Sequence, residues 1–177
     1  MDLQRQAEPH PRLAEDALVD YVRAFAELAE AHHRLPDGWR HLTPSHLLLA
    51  EGRLFNLALR PANMSKMPDQ FCYANAAALA RTHDLLYTEG IAAISHNRQT
   101  LCLPHAWCTD TDGTAIDATW ASGTGIAYLG IAFTDRSLWP EDNRGTLDHH
   151  QKAEPLLRDG LTADQVAAVG RPLAPPR

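Results

Sequence analysis

The chain has 177 residues and a formal net charge of −6, with 45% hydrophobic and 21% charged residues. This length suits one domain with its own apolar core. No run of lysine or arginine builds a basic stripe, which argues against a nucleic-acid-binding protein. The apolar runs are broken within a few residues, which argues against a membrane-spanning helix.

The opening residues, MDLQRQAEPHPRLAED, are polar and lack the apolar stretch of a signal peptide. Three cysteines are an odd number, so a disulfide framework is not expected. We therefore expect a protein of the reducing cytoplasm that uses no cofactor and has neither a nucleic acid nor a membrane as its partner.

The first part of the chain predicts helices. Apolar residues at three- and four-residue steps over Leu13–His33 are typical of an amphipathic helix. A second, short helix is predicted with Thr43 as its N-cap, Pro44 at its first position and Gly52 at its end. The stretch RLFNLAL, residues 53–59, is either a strand or an irregular connection.

The remainder predicts a central helix and a sheet. The alanine-rich stretch Phe71–Thr82 predicts a buried helix with Asp69 as its N-cap. Four strands separated by turn residues, and one short C-terminal helix, complete the predicted elements: Leu85–Ile94, Leu101–Thr109, Thr114–Trp120, Gly125–Phe133 and Leu161–Val169. This order predicts an α+β fold, with a helical N-terminal part and an antiparallel sheet packed on the central helix. We expect a single domain over residues 1–177, with residues 1–12 and 171–177 flexible.

Cys72 falls in the first turn of the alanine-rich helix. Unpaired backbone amides and the helix dipole favour negative charge there, so we expect its thiol to ionise readily. The same amides, together with the side-chain amide of Gln70, are candidates to stabilise an oxyanion on a substrate carbonyl. Free cysteine is also a common small core residue, so a packing role for Cys72 remains an alternative.

His105 and Asp117 lie on either side of a turn in LPHAWCTDTDGTAIDATW, residues 103–120. A two-residue turn would point the two side chains to opposite faces of the sheet. A three-residue loop with a left-handed Gly113 would make them diagonal neighbours on one face. We favour the second register because it collects four small apolar residues on the other face: Ala106, Cys108, Ile116 and Ala118.

An aspartate bound to one imidazole nitrogen fixes the tautomer and leaves the other nitrogen free to take a proton from a thiol. On this interpretation His105 is a general base and Asp117 orients it. The alternative is an aspartate near a turn and a half-exposed histidine that have no joint role.

A cysteine that opens a helix, followed by HAW on one strand and DATW on the next, resembles the transglutaminase-like superfamily, a branch of the papain-like cysteine hydrolases. The resemblance covers Gln70–Phe133. It implies that Cys72 is the nucleophile, His105 the general base and Asp117 the orienting residue. The family commonly has proline after the aspartate, where this chain has Ala118. The superfamily includes peptidases, amidases, cross-linking acyltransferases and inactive members, so the resemblance implies a mechanism more than a substrate.

The sequence therefore predicts a cysteine-dependent amide hydrolase or acyltransferase that acts through a thioester on a peptide, a protein or a small amide. Trp107 and Trp120 flank the candidate residues and are either core aromatics or part of a pocket. One alternative function is an inactive binding module with the same fold.

A second alternative is a zinc site formed by Cys102, His105 and Cys108, with His96 nearby. Strand alternation argues against it, because Cys102 and Cys108 share one face while His105 points to the other. Pro104 is a position where that alternation can be disturbed.

Overall fold

The structure is a computed structural model, and it describes residues 11–174. The fold is α+β, as predicted: N-terminal helices precede a mostly antiparallel, curled sheet on which a further helix packs. No helix in the described range is both long and apolar enough to cross a membrane. The helices are α1 (Pro11–His32), α2 (Pro44–Glu51), α3 (Cys72–His83) and α4 (His150–Asp159). The strands are β1 (Arg53–Leu54), β2 (Asn56–Leu57), β3 (Leu86–His96), β4 (Gln99–Thr109), β5 (Thr114–Ile116), β6 (Gly125–Phe133) and β7 (Arg171–Pro172).

The two N-terminal helices form where the sequence predicts them. α1 buries one apolar stripe at four-residue spacing, made of Ala14, Leu18, Val22 and Ala26. α2 begins after Thr43 and ends at Gly52, although the Thr43 hydroxyl pairs with the ring of a histidine in the helix rather than with a backbone amide.

The described strands form one sheet in the order β2-β5-β4-β3-β6-β1-β7. β3 is central and pairs antiparallel with β4 on one side and β6 on the other. The stretch at residues 53–59, expected to be either a strand or an irregular connection, contains two short strands, β1 against β6 and β2 against β5. Because β1 and β2 are separated by Phe55 alone yet pair near opposite ends of the sheet, the sheet curls back on itself.

The curl gives the sheet an outer and an inner face. The alanines of α3 allow close packing on the outer face, against Ala106 and against Cys108, whose thiol donates to the carbonyl of Ala76 at 3.1 Å. The inner face holds a smaller apolar cluster that includes Phe55, Trp107 and Tyr128. The predicted sheet on a central helix is therefore present.

The prediction of a helix over Leu161–Val169 is wrong. That stretch instead runs beside the end of β6, where Val166 forms a bridge with Phe133. Pairing with a strand edge gives its backbone groups partners that replace those of a helix. The helix of this region is α4, which carries Pro155 in its interior, a residue that usually argues against a helix.

The expectation of flexible ends concerns residues that lie largely outside the described range. Within that range, α1 already begins at Pro11. Arg171 and Pro172 pair with β1, and the Arg171 guanidinium donates to the carboxylate of Glu15 at 2.6 Å.

Candidate active site

The turn between β4 and β5 has the predicted three-residue loop. The amide of Asp110 donates to the carbonyl of Thr114 at 3.3 Å, and the ladder continues with Thr109 opposite Ala115. Gly113 is left-handed, with φ of 76°. A second reason for glycine was not visible in the sequence: a Cβ on Gly113 would clash with the backbone of Gly170. The apolar set predicted for the opposite face is buried there.

His105 and Asp117 are in direct contact, as the favoured register predicts. His105 Nε2 and Asp117 Oδ2 are 2.8 Å apart, and only 2% of His105 and 8% of Asp117 are exposed. The route to this contact differs from the prediction, because β5 ends at Ile116 rather than at Trp120. Asp117 begins a turn in which its Oδ1 accepts hydrogen bonds from the backbone amides of Thr119 and Trp120. The aspartate thus stabilises the turn that aims it at the imidazole.

Aromatic residues enclose the pair inside the curl. The ring of Trp120 stacks on the imidazole, with centroids 3.7 Å apart and planes inclined by 6°. The Tyr128 hydroxyl donates to Asp117 Oδ2 at 2.9 Å. Trp107 is fully buried in the inner cluster, which fits its interpretation as a core aromatic, whereas the contact of Trp120 with His105 makes it part of the site's wall.

Hydrogen bonds hold the Asp117 carboxylate in its charged form. Burial by itself raises the pKa of Asp117, but the hydrogen bond and charge of His105, with the amides of Trp120 and Thr119, outweigh burial. The pKa of Asp117 therefore lies below its ordinary value. A charged carboxylate is the form that orients an imidazole and stabilises its protonated state.

Arg60 braces the turn that carries Asp117, a role the sequence did not reveal. Its guanidinium donates to the backbone carbonyls of Asp117 and Trp120, both at 2.9 Å, and to that of Met64 at 3.1 Å. Asn75 of α3 adds a buried bond to the hydroxyl of Thr119 at 2.9 Å. The turn is thus fixed to the preceding loop and to the central helix.

Cys72 is the first residue of α3, as the sequence predicts. The N-cap is Phe71, which makes no capping hydrogen bond, so the assignment of Asp69 as N-cap is wrong. The Asp69 carboxylate instead binds the Lys66 ammonium at 2.6 Å, because Asp69 lies two residues before the N-cap position from which a side chain reaches the first helix amides.

The expectation that the Cys72 thiol ionises readily is also wrong. Burial raises its pKa, and the negative charges of Glu89 and Asp117 raise it further. Backbone hydrogen bonds from Ala106 and Tyr73 act in the opposite direction without reversing the shift. Cys72 is a thiol that needs a base, and not a thiolate formed by the helix dipole.

Cys72 and His105 approach β4 from different sides. Strand alternation turns Ala106 toward α3 and His105 into the curl. The Cys72 sulfur lies near the backbone amide of Ala106, the residue that directly follows His105 on β4. Over residues 11–174 no hydrogen bond joins the Cys72 thiol to the His105 imidazole, whose Nε2 is bound to Asp117.

Gln70 stands beside the start of α3 in an unusual conformation, with φ of 69°. Its backbone carbonyl accepts a hydrogen bond from the side chain of Asn143 at 2.8 Å. The Gln70 side chain is exposed, so its predicted role as an oxyanion donor remains a prediction.

Glu89 is a buried carboxyl near Cys72 that sequence analysis did not single out. It lies on β3 with 2% of its surface exposed and accepts hydrogen bonds from the Tyr87 hydroxyl and the amides of Thr146 and Leu147. Burial raises its pKa to about 7 even though these three donors oppose the shift. The signal in the sequence was a glutamate inside the apolar strand LLYTEGIAAI.

The residues of the alternative zinc site do not converge. The Cys102 thiol faces α1 and the Cys108 thiol faces α3, while His105 points into the curl. Within the described residues, no group of three or more histidine, cysteine, aspartate or glutamate side chains is placed to hold a metal ion. A pocket of about 680 Å³ lies between α2, β6 and the C-terminal segment, and none of the three candidate residues lines it.

Comparisons with the models of known protein families, with curated proteins and with solved structures find no match to this chain. The resemblance to transglutaminase-like proteins therefore rests on the residues of this sequence alone.

Proposed function

We propose that this protein is a cysteine-dependent amide hydrolase or acyltransferase that works through a thioester intermediate. The observation that carries the proposal is the buried hydrogen bond between His105 and Asp117, beside the strand edge where Cys72 lies. Burial of a charged aspartate with a histidine stacked between aromatic rings costs free energy of folding. A role of the pair in general-base catalysis would explain why it is buried.

In the proposed reaction His105 Nε2 carries a proton and donates it in the hydrogen bond to Asp117, so that Nδ1 is the basic nitrogen. Nδ1 takes the thiol proton as the Cys72 sulfur forms a bond with the amide carbon. The proton then passes to the leaving amine as the carbon–nitrogen bond breaks and the thioester forms. Water or a second amine attacks the thioester and frees the thiol. The backbone amide of Cys72, with the Gln70 side chain, is the proposed oxyanion donor.

We further propose that the protein acts in the reducing cytoplasm. All three cysteines are free thiols, and a reducing compartment protects a thiol nucleophile from oxidation.

The proposal is tested with p-nitrophenyl acetate, a small activated ester that needs no specific recognition. We expect a burst of p-nitrophenolate, followed by an acetyl group on Cys72 in mass spectra of the acid-quenched protein. His105→Ala should remove the burst. Cys102, which is also free and half-buried, serves as the internal reference thiol. Acetylation of Cys72 no faster than that of Cys102 would refute the hydrolase and favour the binding module.

A further inference from the structure

One edge of β4 is unpaired over most of its length. β4 pairs with β3 from Gln99 to Thr109, but β5 covers its other side only at Cys108 and Thr109. The strand is exposed from Gln99 to Leu103 apart from a half-buried Cys102, and Pro104 is exposed as well. A free strand edge presents backbone donors and acceptors that can pair with another extended chain.

The direction of each backbone group follows from the turn between β3 and β4. The turn residues Asn97 and Arg98 have φ of 49° and 64°, as in a type I′ turn. Such a turn is closed by a pair that exchanges both hydrogen bonds, here His96 with Gln99. By alternation the remaining even-numbered positions direct their N–H and C=O groups away from β3: Thr100, Cys102, Pro104 and Ala106.

Two independent features agree with this assignment. Proline has no N–H, and Pro104 stands where its missing donor would have faced the free edge rather than β3. The amide of Ala106 faces the Cys72 sulfur, which lies on the same side of β4. In the described part of the chain, no backbone hydrogen bond uses the outward groups of Thr100 or Cys102.

The Cys72 thiol therefore lies on the side of β4 that a strand added to this edge would occupy. A chain paired along Thr100–Pro104 would extend toward Ala106, the residue whose amide lies near this thiol.

We propose that the substrate is an extended segment of a polypeptide, held by backbone pairing with the free edge of β4 so that its reactive amide reaches Cys72. This inference rests on the proposed function and adds the substrate class. Leu101 and Leu103, exposed by 38% and 40%, project on the His105 side of the strand. Peptide side chains opposite them would meet an apolar surface, so the edge favours apolar residues at alternate positions.

The test uses a heptapeptide of alternating valine and threonine whose central side chain carries a chloroacetamide. Chloroacetamide itself is the control reagent, and the same peptide with N-methylated backbone amides is the control for pairing. The rate of Cys72 alkylation is measured by mass spectrometry. We expect the heptapeptide to react at least about tenfold faster than chloroacetamide, and the N-methylated peptide to lose this advantage.

Thr100→Pro removes one outward N–H of the edge, while Thr100→Ala keeps it. Pro104 shows that this strand already accepts proline at an outward position. Thr100→Pro should slow alkylation by the heptapeptide about fivefold, as expected for one hydrogen bond, and leave alkylation by chloroacetamide unchanged. Hydrogen exchange at the amides of Thr100 and Cys102 should slow after labelling with the heptapeptide and not after labelling with chloroacetamide.

Equal rates for the methylated and unmethylated peptides, or no effect of Thr100→Pro, would overturn edge pairing. If Cys72 still forms an acetyl-enzyme in that case, the hydrolase stands and only the substrate class is wrong. Failure of acetylation by p-nitrophenyl acetate refutes the proposed function, and edge pairing as a substrate site falls with it.

Discussion

Asp117 and His105 share a hydrogen bond of 2.8 Å, and the same aspartate oxygen accepts a second one from Tyr128 at 2.9 Å. The other oxygen of Asp117 accepts from two backbone amides. All four partners are donors, so the site is built for a charged carboxylate and for an imidazole whose Nε2 carries the proton. Exchange of this carboxylate for an amide tests that arrangement most directly.

Asp117→Asn should reduce turnover of the acyl-enzyme reaction by about 10⁴-fold, the loss seen when the orienting aspartate of a serine triad is changed in this way. An amide can present its NH₂ to Nε2 and so favour the wrong tautomer. The raised pKa of Cys72 makes the base necessary, so no preformed thiolate softens the loss. Tyr128→Phe removes one of the four donors and should cost only about tenfold. Burst kinetics of the two variants measure both values, and unchanged turnover in Asp117→Asn would contradict the triad.

Acidification should also lower the stability of the protein through Asp117. Its folded-state pKa is depressed, so its contribution to stability is present above its ordinary pKa of 3.8 and is lost as pH falls through the folded value. Urea unfolding of wild type and Asp117→Asn at pH values from 6 down to 2 should therefore show a difference in unfolding free energy that shrinks toward low pH. A difference that stays constant would mean that the aspartate is not charged in the folded protein.

Cys72→Ala should abolish acetylation while changing the unfolding free energy by no more than about 1 kcal/mol. Cys72 is half-buried at the first position of α3, and alanine fits a helix start without loss of backbone bonds. Cys102→Ala is the matched control and should leave acetylation intact. An acetyl group found on Cys102 or Cys108 instead of Cys72 in the wild-type protein would show that the nucleophile is wrongly assigned.

Local patterns predicted much of this site. The Asp-Gly turn and the alternation of small apolar residues around it were enough to choose the register that brings His105 to Asp117. The hydrogen bonds of Arg60 could not be predicted from the sequence, because they join a loop to carbonyls about sixty residues later and produce no periodic pattern in the sequence. The Cys72 pKa was missed for a similar reason. Its position at a helix start is local information, whereas the burial and the charge of Glu89 that oppose ionisation come from tertiary structure.

Gly113 tests the loop that sets this register. Gly113→Val places a β-branched side chain at φ of 76° and against the backbone of Gly170, so it should destabilise the protein by about 2–4 kcal/mol and weaken turnover. Gly113→Asn tolerates the left-handed backbone better but still meets Gly170, so it should fall between valine and wild type. Thermal unfolding and burst kinetics of both variants check the order. Gly123→Val is a suitable control, because Gly123 is also left-handed but a Cβ placed on it would meet no other atom within 4 Å.

Glu89 makes stability depend on pH near neutrality. Its pKa is about 7 in the folded protein against an ordinary value of 4.5. Between these two pH values the folded state therefore holds a proton that the unfolded state has lost. The stabilising contribution is complete below pH 4.5 and is lost as pH rises to about 7, a change on the order of 3 kcal/mol. The groups that face Glu89 are Tyr87, Tyr73, Cys72 and Asp148, none of which supplies a positive charge.

Between pH 4.5 and pH 7 the unfolding free energy of Glu89→Gln should therefore change less than that of wild type. Glu141→Gln, which changes an exposed glutamate, is the control. Removal of the charge should also lower the pKa of Cys72, for which Glu89 is the foremost of the raising charges. Alkylation of Cys72 by chloroacetamide at pH 8 should accordingly speed up in Glu89→Gln, while alkylation of Cys102, whose raised pKa comes from burial alone, stays constant. A faster rate at both cysteines would indicate general loosening of the fold, and no change at Cys72 would show that the buried carboxyl does not act on the thiol.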